Sequence, residues 1–416
     1  MKRTDVIVIG AGQAGLAMSR CLSADSVDHV VLERGRVGER WLSERWSSLR
    51  LLSPNWQTRL PGYHYQGSDP DGFMSSSDFA EHLTGYARSY SAPLELETTV
   101  RSVRAADSGY RVATDRGDFA AASVVLATGY CDRPFVPAMA RRLGPDVRQL
   151  SPSDYRGPEQ LPEGGVLVVG ASATGVQLAD EIQRSGRPVT LAVGSHLRLP
   201  RRYRGRDILW WLERMGIFGE TVDKVRDLDA ARRAPSWQLV GRDDHRSLDL
   251  PTLQAQGVRL CGRLTDIEGS RLHFADDLPR SAQEAERKLW RLLARIDAFA
   301  AVSGMAEQIE VDDGPCRFRA PQGPTRLNLR NAGIRSVVWA TGYRRSYPWL
   351  QVRGALDPAG ELHHHKGVME PGGLYALGLR FQRRRSSSFI DGVGDDAVEL
   401  SEHLTTWLRQ RQSRAA

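Results

Sequence analysis

Asp5-Val6-Ile7-Val8-Ile9-Gly10-Ala11-Gly12-Gln13-Ala14-Gly15 is the stretch whose reading decides the fold. A short β-branched run meets three glycines at GxGxxG spacing, and a helical pattern then continues through Leu22. Strand, glycine turn and helix in that order form the context in which such glycines carry meaning: they let a helix N-terminus approach a pyrophosphate without interference from Cβ atoms. Twenty-three positions after Gly10, at the end of the run Val30–Leu32, stands Glu33. A carboxylate there can accept both hydroxyls of an adenosine ribose and disfavours a 2′-phosphate, so this unit is expected to hold FAD or NAD.

The same arrangement recurs. Val166–Val169 leads into Gly170-Ala171-Ser172-Ala173-Thr174-Gly175 and a helical pattern through about Arg184, with Ser172 at the middle glycine position. Each copy has a matching end, Ala127-Thr128-Gly129-Tyr130 and Ala340-Thr341-Gly342-Tyr343. Gly10 to Thr128 spans 118 positions and Gly170 to Thr341 spans 171, so the second copy carries a surplus of 53. That surplus is expected between about 201 and 319, where Ser281–Val302 has the apolar spacing of an amphipathic helix. The second turn lacks the ribose acid. After Pro188–Val193 come Gly194, Ser195, His196, Arg198, Arg201 and Arg202. Guanidinium groups in place of a carboxylate favour a dinucleotide with a 2′-phosphate, hence NADPH, with Arg198 the first choice because it lies nearest the strand end.

Composition is compatible with this picture. The 416 residues are 41% hydrophobic and 26% charged, ordinary values for a globular chain of two or three domains. A net charge of +7 suits an anionic ligand, and no nucleic-acid module is legible. Cys21, Cys131, Cys261 and Cys316 are far apart, which argues against a zinc cluster or a redox dithiol and fits a reducing, cytoplasmic setting. No apolar run approaches membrane-spanning length. His363-His364-His365 would alternate in direction on a strand, so no metal site is expected there, and Asp243-Asp244-His245 reads as a surface loop. The fold class expected is therefore α/β, with two Rossmann-like dinucleotide-binding domains. The second (156–335, with the insertion) is placed inside the first (1–155 and 336–416), with joints near Tyr155 and Arg335.

Over nearly its whole length the chain resembles the class B flavin-dependent monooxygenases, the flavin-containing and N-hydroxylating group. The matching residues are the two glycine turns, Glu33, Val37-Gly38-Glu39-Arg40-Trp41, the two ATGY segments, Ser153-Asp154-Tyr155-Arg156 and Gly373–Leu379. The family histidine before the second turn is replaced near Ser151, and the family asparagine beside the flavin aligns nearer Leu52, with Asn55 as the neighbouring candidate. The resemblance implies FAD and NADPH as cofactors and transfer of one oxygen from O2, through a flavin C4a-peroxide, to a small organic substrate by N- or S-oxidation or Baeyer–Villiger insertion. The alternatives are an NADPH-dependent flavoprotein reductase and a non-catalytic FAD/NADPH-binding regulator. The partners expected are that substrate and O2, with a homodimer compatible. For FAD the expected contacts are Gly10, Gly12, Gln13, Ala14, Gly15, Glu33, Arg34, Arg40, Trp41, Thr128, Gly129, Gly378, Gly394 and Asp395. The second cradle takes Gly170, Ser172, Ala173, Thr174, Gly175, Arg198, Arg201 and Thr341. Trp41, Trp46 and Trp56 with Arg40, Arg45 and Arg50 could wall a flavin pocket. The resemblance further implies that the helix start Gly394–Ala397 faces the isoalloxazine ring.

Overall fold

The computed structural model describes residues 1–305, 310 and 314–415. Two parallel sheets carry the two copies, and their central strands are built alike. Lys2–Ile9 lies between Gly117–Leu126 and His29–Leu32, parallel to both, with Val8 opposite Val31 on one side and Val125 on the other. Gly165–Val169 lies between Ile334–Trp339 and Val189–Ala192 in the same sense. Parallel strands covered on both faces read as unbroken apolar runs. Accordingly Val6, Ile7 and Val8, and Val166, Leu167 and Val168, are fully buried.

In the first sheet Leu374–Ala376 adds in parallel beyond Gly117–Leu126, and Val100–Ala106 and Gly109–Thr114 form an antiparallel meander with it. The helix Gln13–Ala24 and the C-terminal helix Val393–Ala415 pack one face, where Leu16, Leu400 and Leu404 share a core. The second sheet runs in the order Arg148–Leu150, Ile334–Trp339, Gly165–Val169, Val189–Ala192, Arg259–Cys261.

Those memberships move the boundaries. Arg148–Leu150 and Ile334–Trp339 pair within the second sheet, so the joints lie in 127–147 and after 339 rather than near Tyr155 and Arg335. The strand Arg259–Cys261 pairs with Val189–Ala192, so the region 201–319 is not one insertion. It splits around a strand of the parent sheet. The first part holds the helix Ile208–Arg214 and the short strand Trp237–Gln238. The second holds the helix Leu278–Val302, whose Leu289, Leu293, Ile296 and Ala300 recur at helical spacing and pack on Ile208, Trp211 and Leu212. Among the described residues no helix is long and apolar enough to cross a membrane.

Candidate active site

Both glycine turns have one geometry. Gly10 sits at φ +108° and Gly170 at φ +107°, a region that L side chains rarely adopt. A Cβ on Gly10 would come 2.7 Å from the Ala127 carbonyl oxygen, and one on Gly170 would overlap that of Ala340. Added carbons on Gly15 and Gly175 would strike the carbonyl oxygens of Gly10 and Gly170. These glycines close strand against helix, whereas a Cβ on Gly12 meets nothing within 4 Å. The helices that follow, Gln13–Ala24 and Ala173–Arg184, begin at Gly12 and Ser172 with no side-chain cap. By contrast Ser75 closes a full capping box on its helix with Asp78. The uncapped N–H groups are those an anion would take.

A cavity of about 550 Å³ opens over the first turn, a volume ordinary for a cofactor or substrate site. Gly10, Gly12, Gln13, Ala14, Glu33, Arg34, Arg40, Trp41, Thr128, Gly129 and Gly378 all line it. Glu33 is fixed in place: Oε2 accepts from the Ala11 N–H at 2.8 Å and Oε1 from the Gly35 N–H at 3.0 Å. Arg40 bonds Asp132 at 2.6 Å and the Cys131 carbonyl. Trp41 meets Phe79 edge to face at 5.0 Å and carries the Arg45 guanidinium 5.3 Å from its ring centre.

Other expected residues lie elsewhere. Asn55 is not on the cavity wall; its amide is spent on the Met74 N–H at 3.0 Å and the Asp69 carbonyl at 2.9 Å, tying a loop together. Gln57, two residues on, does line the cavity, with Nε2 buried and unpartnered. Leu52, at the aligned asparagine position, also lines it. Asp395 points outward, 69% exposed, to Arg384 at 3.1 Å. Gly394 is packed near Pro61, and the neighbours Asp391 and Val393 face the cavity instead. Burial pushes the Asp391 carboxyl up to about 6, against the opposing pull of Arg59 at 3.3 Å. Trp46 belongs to the second domain's core.

At the second cradle both chosen arginines are turned inward. Arg198 is 5% exposed; its Nε bonds Asp249 at 2.8 Å, and its Nη1 reaches Glu286 and the Cys316 carbonyl. Arg201, 1% exposed, joins Asp207 and the Leu52 carbonyl. Neither guanidinium is presented to a 2′-phosphate. Thr341 donates its hydroxyl to the Phe135 carbonyl. The second turn is instead coupled to the cavity through Trp237–Gln238. Trp237 and Leu239 line the cavity, while Gln238 between them donates to the Ala171 carbonyl at 2.7 Å and Gln177 donates to the Leu239 carbonyl at 2.9 Å.

Comparison with known proteins agrees with this geometry. Residues 7–207 match the pyridine nucleotide-disulphide oxidoreductase family. An uncharacterized CzcO-like oxidoreductase of Geobacillus kaustophilus is 32% identical over 95% of this chain and 97% of its own. An indole-3-pyruvate monooxygenase, YUCCA1, of Oryza sativa subsp. japonica is 28% identical over 98% of this chain and 93% of its own. Among solved structures, the flavin-containing monooxygenase from Stenotrophomonas maltophilia superposes with a TM-score of 0.68 at 18% identity, over 98% of this chain and 99% of that one. The chain belongs to the CzcO-like oxidoreductases, and it shares its fold with flavoproteins, one of them solved with FAD and NADP. The residues present fit both groups: an open Gly12, uncapped helix starts and a fixed Glu33 suit FAD, and the duplicate turn at Gly170–Gly175 suits the second dinucleotide.

Proposed function

We propose that the protein is an NADPH-dependent flavin monooxygenase that adds one oxygen atom from O2 to a small organic molecule, by N- or S-oxidation or by insertion beside a carbonyl. The observation that carries this reading is the strand Trp237–Gln238. One side of it walls the FAD-side cavity and the other is bonded to the second glycine turn, which ties the second cradle to that chamber. When bound, the cofactors supply the hydride and the oxygen-activating chemistry. The chain supplies placement and dryness. Gly12, open at the helix start, would admit the FAD pyrophosphate, with Gly10 and Gly15 letting strand and helix close beside it, and Glu33 would hold the adenosine ribose. Gln57, on the cavity wall, keeps a buried amide nitrogen without a hydrogen-bond partner, and donors pre-set in a dry site are worth more than in water. Leu209, Phe218, Trp237, Leu239 and Phe389 exclude water from the far end.

A disulfide reductase would need a second thiol. Cys131 lines the cavity, but Cys21 and Cys261 are buried in separate cores and Cys316 is exposed. The reading is tested with FAD-loaded protein, NADPH and 18O2 over a panel of amines, sulfides and ketones. One 18O per product molecule with matching NADPH consumption supports it; NADPH consumption that yields only hydrogen peroxide with every compound counts against it.

A further inference from the structure

The end of the cavity away from the first glycine turn is aromatic. Phe218 and Phe389 meet edge to face at 5.6 Å, and Trp237 meets Phe389 at 6.2 Å. Most charges around this chamber are matched. Arg385 pairs with Glu220, and Asp391 pairs with Arg59 at 3.3 Å. Two guanidiniums are exceptions. Arg45 bonds the Glu44 carbonyl at 2.8 Å and lies over Trp41. Arg380 lines the cavity, with its guanidinium bonded to the neutral carbonyl of Ala234 at 2.6 Å and 6.0 Å from the Tyr130 ring centre. Among the described residues no carboxylate forms an ion pair with it. Ala234 itself opens the segment Ala234–Trp237, which lines the same cavity as Phe218 and Phe389. A concave site that offers a guanidinium without a counter-ion attracts an anion, and the planar fork suits a carboxylate or a phosphate oxygen pair.

We propose that Arg380 is the anion anchor of this chamber and that its ligand is the carboxylate of an aryl-carboxylate substrate whose ring lies among Phe218, Trp237 and Phe389. This names the substrate class for the site proposed above and rests on that reading for the oxygen transfer, though not for binding. The same guanidinium could meet a phosphate of the nicotinamide dinucleotide, and the two sources are separable.

The FAD-loaded protein is titrated with 3-phenylpropionate, with 3-phenylpropylamine and with NADP+, following flavin absorbance and tryptophan fluorescence. The carboxylate is expected to bind at least tenfold more tightly than the amine. Arg380→Gln should weaken 3-phenylpropionate tenfold or more while shifting NADP+ less than twofold, and Arg380→Lys should recover part of the loss. Equal or tighter binding of the amine by the unaltered protein, which needs no variant to fold, overturns the proposal. So does a loss in Arg380→Gln that falls on NADP+, which would make Arg380 a phosphate contact. Charge-selective binding without oxygenated product from any compound would leave this subsite standing and remove the monooxygenase reading alone.

Discussion

Arg198 separates two accounts of one residue, and its replacement is the sharpest test of the second domain. If it reads a 2′-phosphate, Arg198→Leu should raise the KM for NADPH and leave the fold intact. The structure gives it another task. The guanidinium is 5% exposed and neutralises Asp249, 4% exposed, and Glu286, 12% exposed, while also bonding the Cys316 carbonyl at 3.0 Å. Removing one partner of a buried ion pair strands the others in a poorly solvated site, a cost of about 3–5 kcal/mol. A unit of about 200 residues has an unfolding entropy near 0.4 kcal/mol/K, so the second domain's Tm should fall by roughly 7–12 °C. Differential scanning calorimetry with FAD bound measures this directly. The triple replacement Arg198→Leu, Asp249→Leu, Glu286→Leu should recover much of the loss, because an apolar substitute leaves no orphaned charge. A Tm within 2 °C of the parent together with a tenfold rise in KM for NADPH would refute the reasoning.

Other expectations follow from the same contacts. Gly12→Val places a side chain in open space at an ordinary φ, so the protein should fold yet purify with little FAD; a normal flavin content would contradict the cradle. Burial raises the carboxyl of Asp396, fully buried on the C-terminal helix, to about 6. A raised acid stabilises the fold below its unfolded value near 3.8 and loses that contribution as pH rises through 6, so Asp396→Asn should be more stable than the parent at pH 8, by up to about 3 kcal/mol, with the advantage vanishing near pH 4 in denaturant titrations. Asn55→Ala should lower stability by about 1–3 kcal/mol, having freed the buried Met74 N–H and the part-buried Asp69 carbonyl, with the flavin spectrum unchanged. Gln57→Leu should do the reverse, shifting the bound flavin's visible spectrum at nearly constant Tm.

Local chemistry is what the sequence conveyed well. Glycine spacing, β-branched runs and the acid at Glu33 are set by backbone geometry within some thirty residues; the structure repeats the glycine turn at both copies and fixes Glu33 at the first. Arg198 and Asn55 went astray for one reason. Proximity to a strand end does not say which way a side chain turns, and the partners that turned Arg198 inward, Asp249 and Glu286, come from 51 and 88 positions away. The strand Arg259–Cys261 was hidden because three residues carry no period, although it belongs to the parent sheet. Gln57 had a faint signal, a polar residue two positions beyond the expected asparagine. Arg380 had none, since its lack of a carboxylate partner is a property of the assembled chamber alone.

The central claim is that both cradles deliver their ligands to one cavity. Anaerobic stopped-flow mixing of the FAD-loaded protein with NADPH tests it most directly. Loss of the flavin's visible absorbance within seconds, at a rate that saturates with NADPH, is the predicted result. A yellow protein that NADPH leaves unbleached, or a colourless one that takes up no FAD, would contradict the account.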